Sequence, residues 1–483
     1  MAGGGGDAAE SRSGAVPVPS SGPRRPLTLA ALVGVIFFNV SGGTYALEDV
    51  LGAGAGLAIT LLVLTPLVWS APVALVCAEL GTAIPEEGGY YAWSKRALGP
   101  FGAFCQGWWA WLYTFIDIGI YPTMLCDYLG YLVPAFGQDG SFALRKGLMI
   151  AMIWTFVGLN LFGARIIGSL SKAFFLLVMS PFAILVAVGI WKGIMGGFPE
   201  SPVAPLAAPG KSVGAALAVA IPVVLWNYMG WDSCSTIAND IEEPRRNYPR
   251  ALFFAVLLIT GIYLLPTLVA LALLGTEQIA WTTGAWSLAA EKIAGGTAGK
   301  LTSAMGMVSA MGMFSALLLV YSRVPFVMGR DGYLPPALMK TNSRGAPWVS
   351  LVVSGVIYSF VLLVFKNVEE LAAADVTVYG AMMSLELVSF LVLRWREPEL
   401  ERPFRVPGGW PLAILLCIAP VACILLGGYF RVAQEGEGGL FKVFGLALLI
   451  MASAPVLYPL MSWLRRRRMA IAQEAPQKLD AAA

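Results

Sequence analysis

The sequence predicts an all-α integral membrane protein of about twelve transmembrane helices. Three observations predict it. Of the 483 residues, 58% are hydrophobic and 13% charged, where a soluble domain carries about 25% charged residues. The mean hydropathy of +0.73 extends over the whole chain, and the apolar runs recur at lengths of about 20 residues, enough to cross a bilayer. Finally, 22 of the 32 Lys and Arg fall on the side of both termini, 9 fall opposite, and Lys172 lies within a span. This bias sets both termini in the cytoplasm and requires an even number of spans.

The same composition excludes several function classes. A formal charge of +3, from 32 basic and 29 acidic residues, is too balanced for a nucleic-acid partner. Histidine is absent, which removes the commonest metal ligand and general base. The six cysteines (Cys77, Cys105, Cys126, Cys234, Cys417, Cys423) lie in apolar runs without a C-x-x-C pair, so neither a zinc site nor a disulfide framework is expected. With no H-E-x-x-H and no phosphate-binding loop, a membrane enzyme is not expected, nor is a cofactor.

Residues 1–26 are rich in Gly, Ala, Ser and Pro and end in Arg24 and Arg25, which reads as a disordered cytoplasmic N-terminus. A first half, 27–194, holds spans at 27–53, 55–79, 98–130, 145–163 and 165–194. The first of these, about 39 Å long against a hydrocarbon core of about 30 Å, tolerates a break. The sequence Ser41-Gly42-Gly43-Thr44 writes one, because adjacent glycines permit backbone angles that a helix does not use. A second half, 213–393, holds spans at 213–241, 250–274, 298–328, 346–365 and 370–393. Its first span is interrupted in the same place, at Asn227-Tyr228-Met229-Gly230, one turn after Pro222 and just before Trp231-Asp232. Two spans at 409–430 and 438–464 follow, and 465–483, with Arg465 to Arg468, reads as a cytoplasmic tail. Breaks in matching positions of two halves point to a binding site at the bilayer midplane, since unwound backbone survives in a membrane only where it faces protein or a wet cavity.

Acids inside spans are costly and therefore candidate functional groups. Glu48 and Asp49 lie one to two turns beyond the first break, either in the site or at a solvated helix end. Asp117 sits mid-span with no Lys or Arg between Arg96 and Arg145. Asp232 follows the second break, as a site residue or as an N-cap of the restarted helix. Asp127 and Asp240 are placed near the two interfaces as structural or gating groups. Glu386 is either a proton site or a partner for Arg394. Tyr45 and Trp226, beside the breaks, are expected as pocket walls.

Several motifs resemble those of the amino acid–polyamine–organocation superfamily. They are Pro85-Glu86-Glu87-Gly88-Gly89-Tyr90-Tyr91, Asp240-Ile241-Glu242-Glu243-Pro244-Arg245-Arg246, Arg330-Asp331-Gly332-Tyr333-Leu334-Pro335 and Arg402-Pro403-Phe404-Arg405-Val406-Pro407-Gly408-Gly409. Tyr45 with Glu48-Asp49, Asp117 with Tyr121-Pro122, and Trp226-Asn227 with Trp231-Asp232-Ser233 are similar to the plant polyamine uptake transporters and the L-type amino acid transporter group. The resemblance implies a five-plus-five inverted repeat with two additional C-terminal helices. It also implies alternating access around the breaks and coupling to a proton gradient. In proton-coupled members a lysine on the fifth helix stands where related carriers hold sodium, which gives Lys172 a second reading beside snorkelling to the interface.

At a broken helix, free carbonyls attract an ammonium and free N–H groups attract a carboxylate. The expected substrate-binding residues are Ser41, Gly42, Gly43, Thr44, Tyr45, Glu48, Asp117, Trp226, Asn227, Gly230 and Asp232, with Asp49, Lys172 and Glu386 in coupling or gating. An amino acid needs only the helix ends. A di- or triamine needs acids as well, and Glu48, Asp117 and Asp232 provide them from three helices. The expectation is proton-coupled uptake of a small cation such as putrescine or spermidine across the plasma membrane. An amino acid permease and a transporter-like nutrient sensor are the competing readings.

Overall fold

The computed structural model describes residues 26–364, 369–436 and 438–480, so the N-terminal reading lies almost wholly outside the described residues. Span one consists of α1 (Leu29–Val40) and α2 (Glu48–Ala53). Span two joins α3 (Ala55–Thr65) to α4 (Ala71–Ala83) through a π turn at Pro66–Ser70, where proline supplies no N–H and the ladder widens. Span three is α5 (Tyr90–Asp117) followed by α6 (Ile120–Leu132). It begins earlier than the apolar run suggests, with a first helical stretch from Tyr90 that a kink at Gly99, at φ +74 before Pro100, separates from the apolar part. Then come α7 (Phe142–Asn160), α8 (Ala164–Gly196) and α9 (Val213–Asn227). A 3₁₀ segment, Ser233–Asp240, completes the sixth span where an α-helix to residue 241 was expected.

The second half continues with α10 (Pro244–Leu274), α11 (Ala285–Ala294), α12 (Gly296–Tyr321), α13 (Arg323–Arg330), α14 (Trp348–Val364) and α15 (Glu369–Arg396). Two more helices, α16 (Gly409–Glu435) and α17 (Gly439–Asp480), close the chain. The short α11 falls where the sequence reading has only a connection; its buried face, with Trp286, Ala289, Ala290 and Ile293, joins the core. Ser and Thr set several helix starts: Thr28 caps α1 through the Ala31 N–H at 3.4 Å, and Ser212 caps α9 through the Ala215 N–H at 3.2 Å.

Among the described residues, 8 helical segments are long and apolar enough to cross a membrane. The shorter apolar helices α1, α9 and α14, together with α5–α6, bring the segments to the expected twelve. The two broken spans run in opposite directions. Asn227 Nδ2 donates to Ala46 O at 3.0 Å, Asn39 Nδ2 to Cys234 Sγ at 3.1 Å, and Leu27 N to Asp240 O at 2.7 Å. Each step forward in the first span is therefore a step back in the sixth, as an inverted repeat requires.

One end of the molecule, the arginine-rich face, is closed by ion pairs whose acids are all buried. Arg323, 2% exposed in its side chain, binds Glu87 at 3.1 Å and Asp240 at 2.6 Å. Asp331 takes Lys95 at 2.6 Å and the Tyr91 hydroxyl at 2.8 Å. Glu79 holds both Arg394 at 2.5 Å and Arg402 at 3.1 Å. Burial lowers the Arg402 pKa, and the Glu79 charge opposes that shift.

Candidate functional site

The first break is longer than the four residues that signal it, running from Ser41 to Leu47. Gly43 at φ +88 and Ala46 at φ +68 both take left-handed backbone. The protein satisfies part of the unwound stretch itself: the Ser309 hydroxyl donates to Gly42 O at 2.5 Å, Thr44 donates to Ile262 O at 3.2 Å, and Ser41 Oγ accepts from Gly43 N at 3.1 Å. Glu48 is thus the first residue of α2, at the restart itself and not turns beyond it. Nor is it a solvated helix end. Its side chain is fully buried, with Oε1 accepting from Tyr128 Oη at 2.5 Å and from Gly284 N at 3.1 Å, and Oε2 unpartnered. Tyr45 packs edge-on against Tyr128, ring centres 4.9 Å apart, and its hydroxyl donates to Thr302 O at 2.9 Å.

At the second break, Gly230 has φ +94 and lies so close to Asn39 O that any side chain would collide with that carbonyl. The carbonyls expected to be free here are occupied. Tyr263 Oη donates to Asn227 O, and Trp69 Nε1 donates to Tyr228 O, both at 2.8 Å. Asp232 stands at the N-cap position of the 3₁₀ segment but makes no capping bond. Instead Oδ1 accepts from Tyr379 Oη at 2.6 Å, Tyr379 in turn accepts from Gly230 N at 3.0 Å, and Oδ2 is left unpartnered.

Asp117, at the end of α5, is buried within an aromatic cage. Its Oδ1 accepts from Tyr121 Oη at 2.8 Å and Trp226 Nε1 at 3.3 Å, and its Oδ2 from Tyr321 Oη at 2.8 Å. Trp226 stacks on Tyr121 with ring centres 6.1 Å apart. Above this cage, away from the arginine-rich face, lies a cavity of about 490 Å³ lined by Asp49, Asp127, Trp226, Thr282, Thr283 and Arg431 among others. Trp226 is the residue that joins the two, lining the cavity on one side and bonding Asp117 on the other. Asp127 is held by Arg145 at 2.7 Å.

Asp117 and Asp232 are linked through the rings of Tyr321, Tyr113 and Tyr379, with Trp226 and Gly230 bonded into the same chain of contacts, while Glu48 is held separately by Tyr128 and Gly284 beside Tyr45. The structure does not bring Lys172 to them. Exposed positions on α8 recur at residues 165, 166, 169, 172, 173, 176 and 177, and Lys172 belongs to this stripe, with the base of its side chain beside Gly34 of α1. Glu386 is fully buried but is not the partner of Arg394; it accepts from Gln106 Nε2 at 2.9 Å, while Arg394 binds Glu79. Two acids escaped the sequence reading. Glu79 anchors the arginine pair, and Asp375 on α15 is fully buried with neither oxygen hydrogen-bonded among the described residues. Asp375 carried the signal used for Asp117, an acid in an apolar span, but it follows Glu369 and Glu370 closely enough to read as part of a solvated helix start.

The chain is similar to several known proteins. The model of the amino acid permease family matches residues 27–435. A probable polyamine transporter of Arabidopsis thaliana is 32% identical over 472 residues, covering 94% of this chain and 89% of that protein. Polyamine transporter PUT1 of Oryza sativa subsp. japonica is 31% identical over 453 residues, covering 94% and 81%. The serine/threonine exchanger SteT of Bacillus subtilis is more distant, 26% identical over 384 residues, covering 77% and 83%.

Proposed function

Because the chain belongs to the amino acid permease family of the amino acid–polyamine–organocation superfamily, and so is a multi-span membrane transporter, we propose that its substrate is a polyamine taken up with protons. One observation carries this reading. The two helix starts that would bind a substrate carboxylate are headed by the protein's own acids: Glu48 and Asp49 in the first turn of α2, and Asp232 ahead of the 3₁₀ segment. The positive end of a helix favours an anion, but here it is already neutralised. An amino acid would bring its carboxylate against like charge; a polyamine brings none. Its ammonium groups meet Glu48, Asp117 and Asp232, none of which has an ion-pair partner among the described residues. The names of the plant relatives agree with this choice. The amino acid permease reading keeps the support of the exchanger relative, but its carboxylate would meet an acid at both helix starts.

The arginine-rich face is the cytoplasmic one in this reading, by the positive-inside rule, and the membrane is the plasma membrane. The cavity then opens outward, with the ion pairs of Arg323 closing the inner side. Coupling falls to the buried acids, since a buried carboxyl oxygen without a donor takes either a proton or an ammonium. Lys172, exposed on α8 beside Gly34 of α1, stands apart from these acids. In proteoliposomes, spermidine uptake is expected to follow an inward proton gradient, to stop with a protonophore, and to continue when choline replaces sodium. A membrane-impermeant maleimide added outside should label a Thr282→Cys variant at the cavity rim. Uptake that needs sodium and ignores the protonophore rejects the coupling, and labelling only from the cytoplasmic side rejects the orientation.

A further inference from the structure

Helices α5 and α15 pack antiparallel with a register that two contacts define. Glu386 on α15 meets Gln106 on α5 at 2.9 Å, and seven residues earlier on α15 the ring of Tyr379 lies 5.5 Å from that of Tyr113, seven residues later on α5. One more turn in the same sense sets Asp375 level with Asp117. Residues 375, 379 and 386 share one face of α15, as 106, 113 and 117 share one face of α5. The two acids differ in their surroundings. Asp117 accepts three hydrogen bonds from neutral donors, whereas Asp375 is 0% exposed and neither of its oxygens has a hydrogen-bond partner among the described residues. Its neighbour Val376 lines the cavity that ends on Trp226.

A buried carboxylate with no donor is destabilising unless something donates to it. Nothing in the described residues does. We infer that Asp375 is a further substrate-binding residue, which with Asp117 forms a two-carboxylate seat for an ammonium of the substrate; this rests on the polyamine reading above. An ammonium offers three donors and no acceptor, which suits a seat with two unused oxygens on Asp375 and the faces of Tyr113, Tyr321 and Trp226 nearby. The pair also discriminates. Two carboxylates around one ammonium leave a net negative charge, which a second ammonium on the same chain compensates. A zwitterion adds a third carboxylate and is rejected.

The test is Asp375→Asn, which keeps the shape and removes the charge. Purified Asp375→Asn protein is expected to bind spermidine about 30-fold or more weakly than the wild type. The wild type is expected to prefer putrescine over N-acetylputrescine, whose second nitrogen is uncharged, and the variant to lose that preference. Thermal unfolding without ligand separates this from a structural role: Asp375 makes no hydrogen bond among the described residues for the amide to break, so the variant should unfold at the wild-type temperature or above it. A variant that binds spermidine as tightly as the wild type overturns the inference, as does one that loses binding and unfolds at a lower temperature. If the wild type itself binds no polyamine, the polyamine reading fails and this inference fails with it; wild-type binding with an unaffected variant removes the inference alone.

Discussion

Asp117→Asn is expected to weaken spermidine binding by about 30- to 4000-fold, the equivalent of about 2–5 kcal/mol for removing one partner of a buried charge pair. The change is nearly isosteric. The amide oxygen still accepts from Tyr121 and Trp226, which share Oδ1, and Tyr321, now on Oδ2 at 2.8 Å, can turn its hydroxyl to accept from the new amide. The cage should therefore survive at a cost near that of one hydrogen bond, about 1 kcal/mol, far below the effect on binding. Calorimetric titration of spermidine into the purified variant measures the difference. Unchanged affinity would mean that Asp117 only anchors Tyr121, Tyr321 and Trp226.

The second large effect belongs to the closed face. Arg323→Ala leaves Glu87 and Asp240 buried without their guanidinium, and breaking a buried pair by removing one partner costs about 3–5 kcal/mol. Arg323 joins the connection before α5 to the end of the sixth span, so this loss falls on the state in which the inner side is sealed. The variant is expected to unfold at a lower temperature and to expose Cys234, which is 1% exposed behind the seal and bonded to Asn39. Alkylation mapped by mass spectrometry reports that exposure. A variant with wild-type unfolding and an unlabelled Cys234 would show that the ion pairs do not hold this face closed.

The spans and both breaks were legible because lipid imposes a simple rule, a run of apolar residues long enough to cross, and because Gly42-Gly43 and Gly230 stand where that rule is interrupted. The extent of the first break was not, since Ala46 takes a left-handed conformation that its sequence does not advertise. Asp117 was legible as an acid alone in an apolar run. Asp375, hidden by its acidic neighbours, was not. Glu79 and its arginines lie far apart in sequence, and only the fold brings them together. For Lys172 the sequence gives a charge inside a span but not the face it occupies; the exposure pattern along α8 supplies that. The carbonyls of the second break show the same limit, because Tyr263 and Trp69 reach them from other spans.

The central claim is that a polyamine, not an amino acid, fits a site whose helix starts already carry Glu48, Asp49 and Asp232. It is tested most directly by ligand-induced stabilisation of the purified wild-type protein, measured as the shift in unfolding temperature with spermidine, putrescine, arginine and leucine in turn. The account predicts stabilisation by spermidine and putrescine and none by leucine or arginine. Stabilisation by leucine or arginine, with spermidine and putrescine inert, would contradict it and leave the amino acid permease reading in its place.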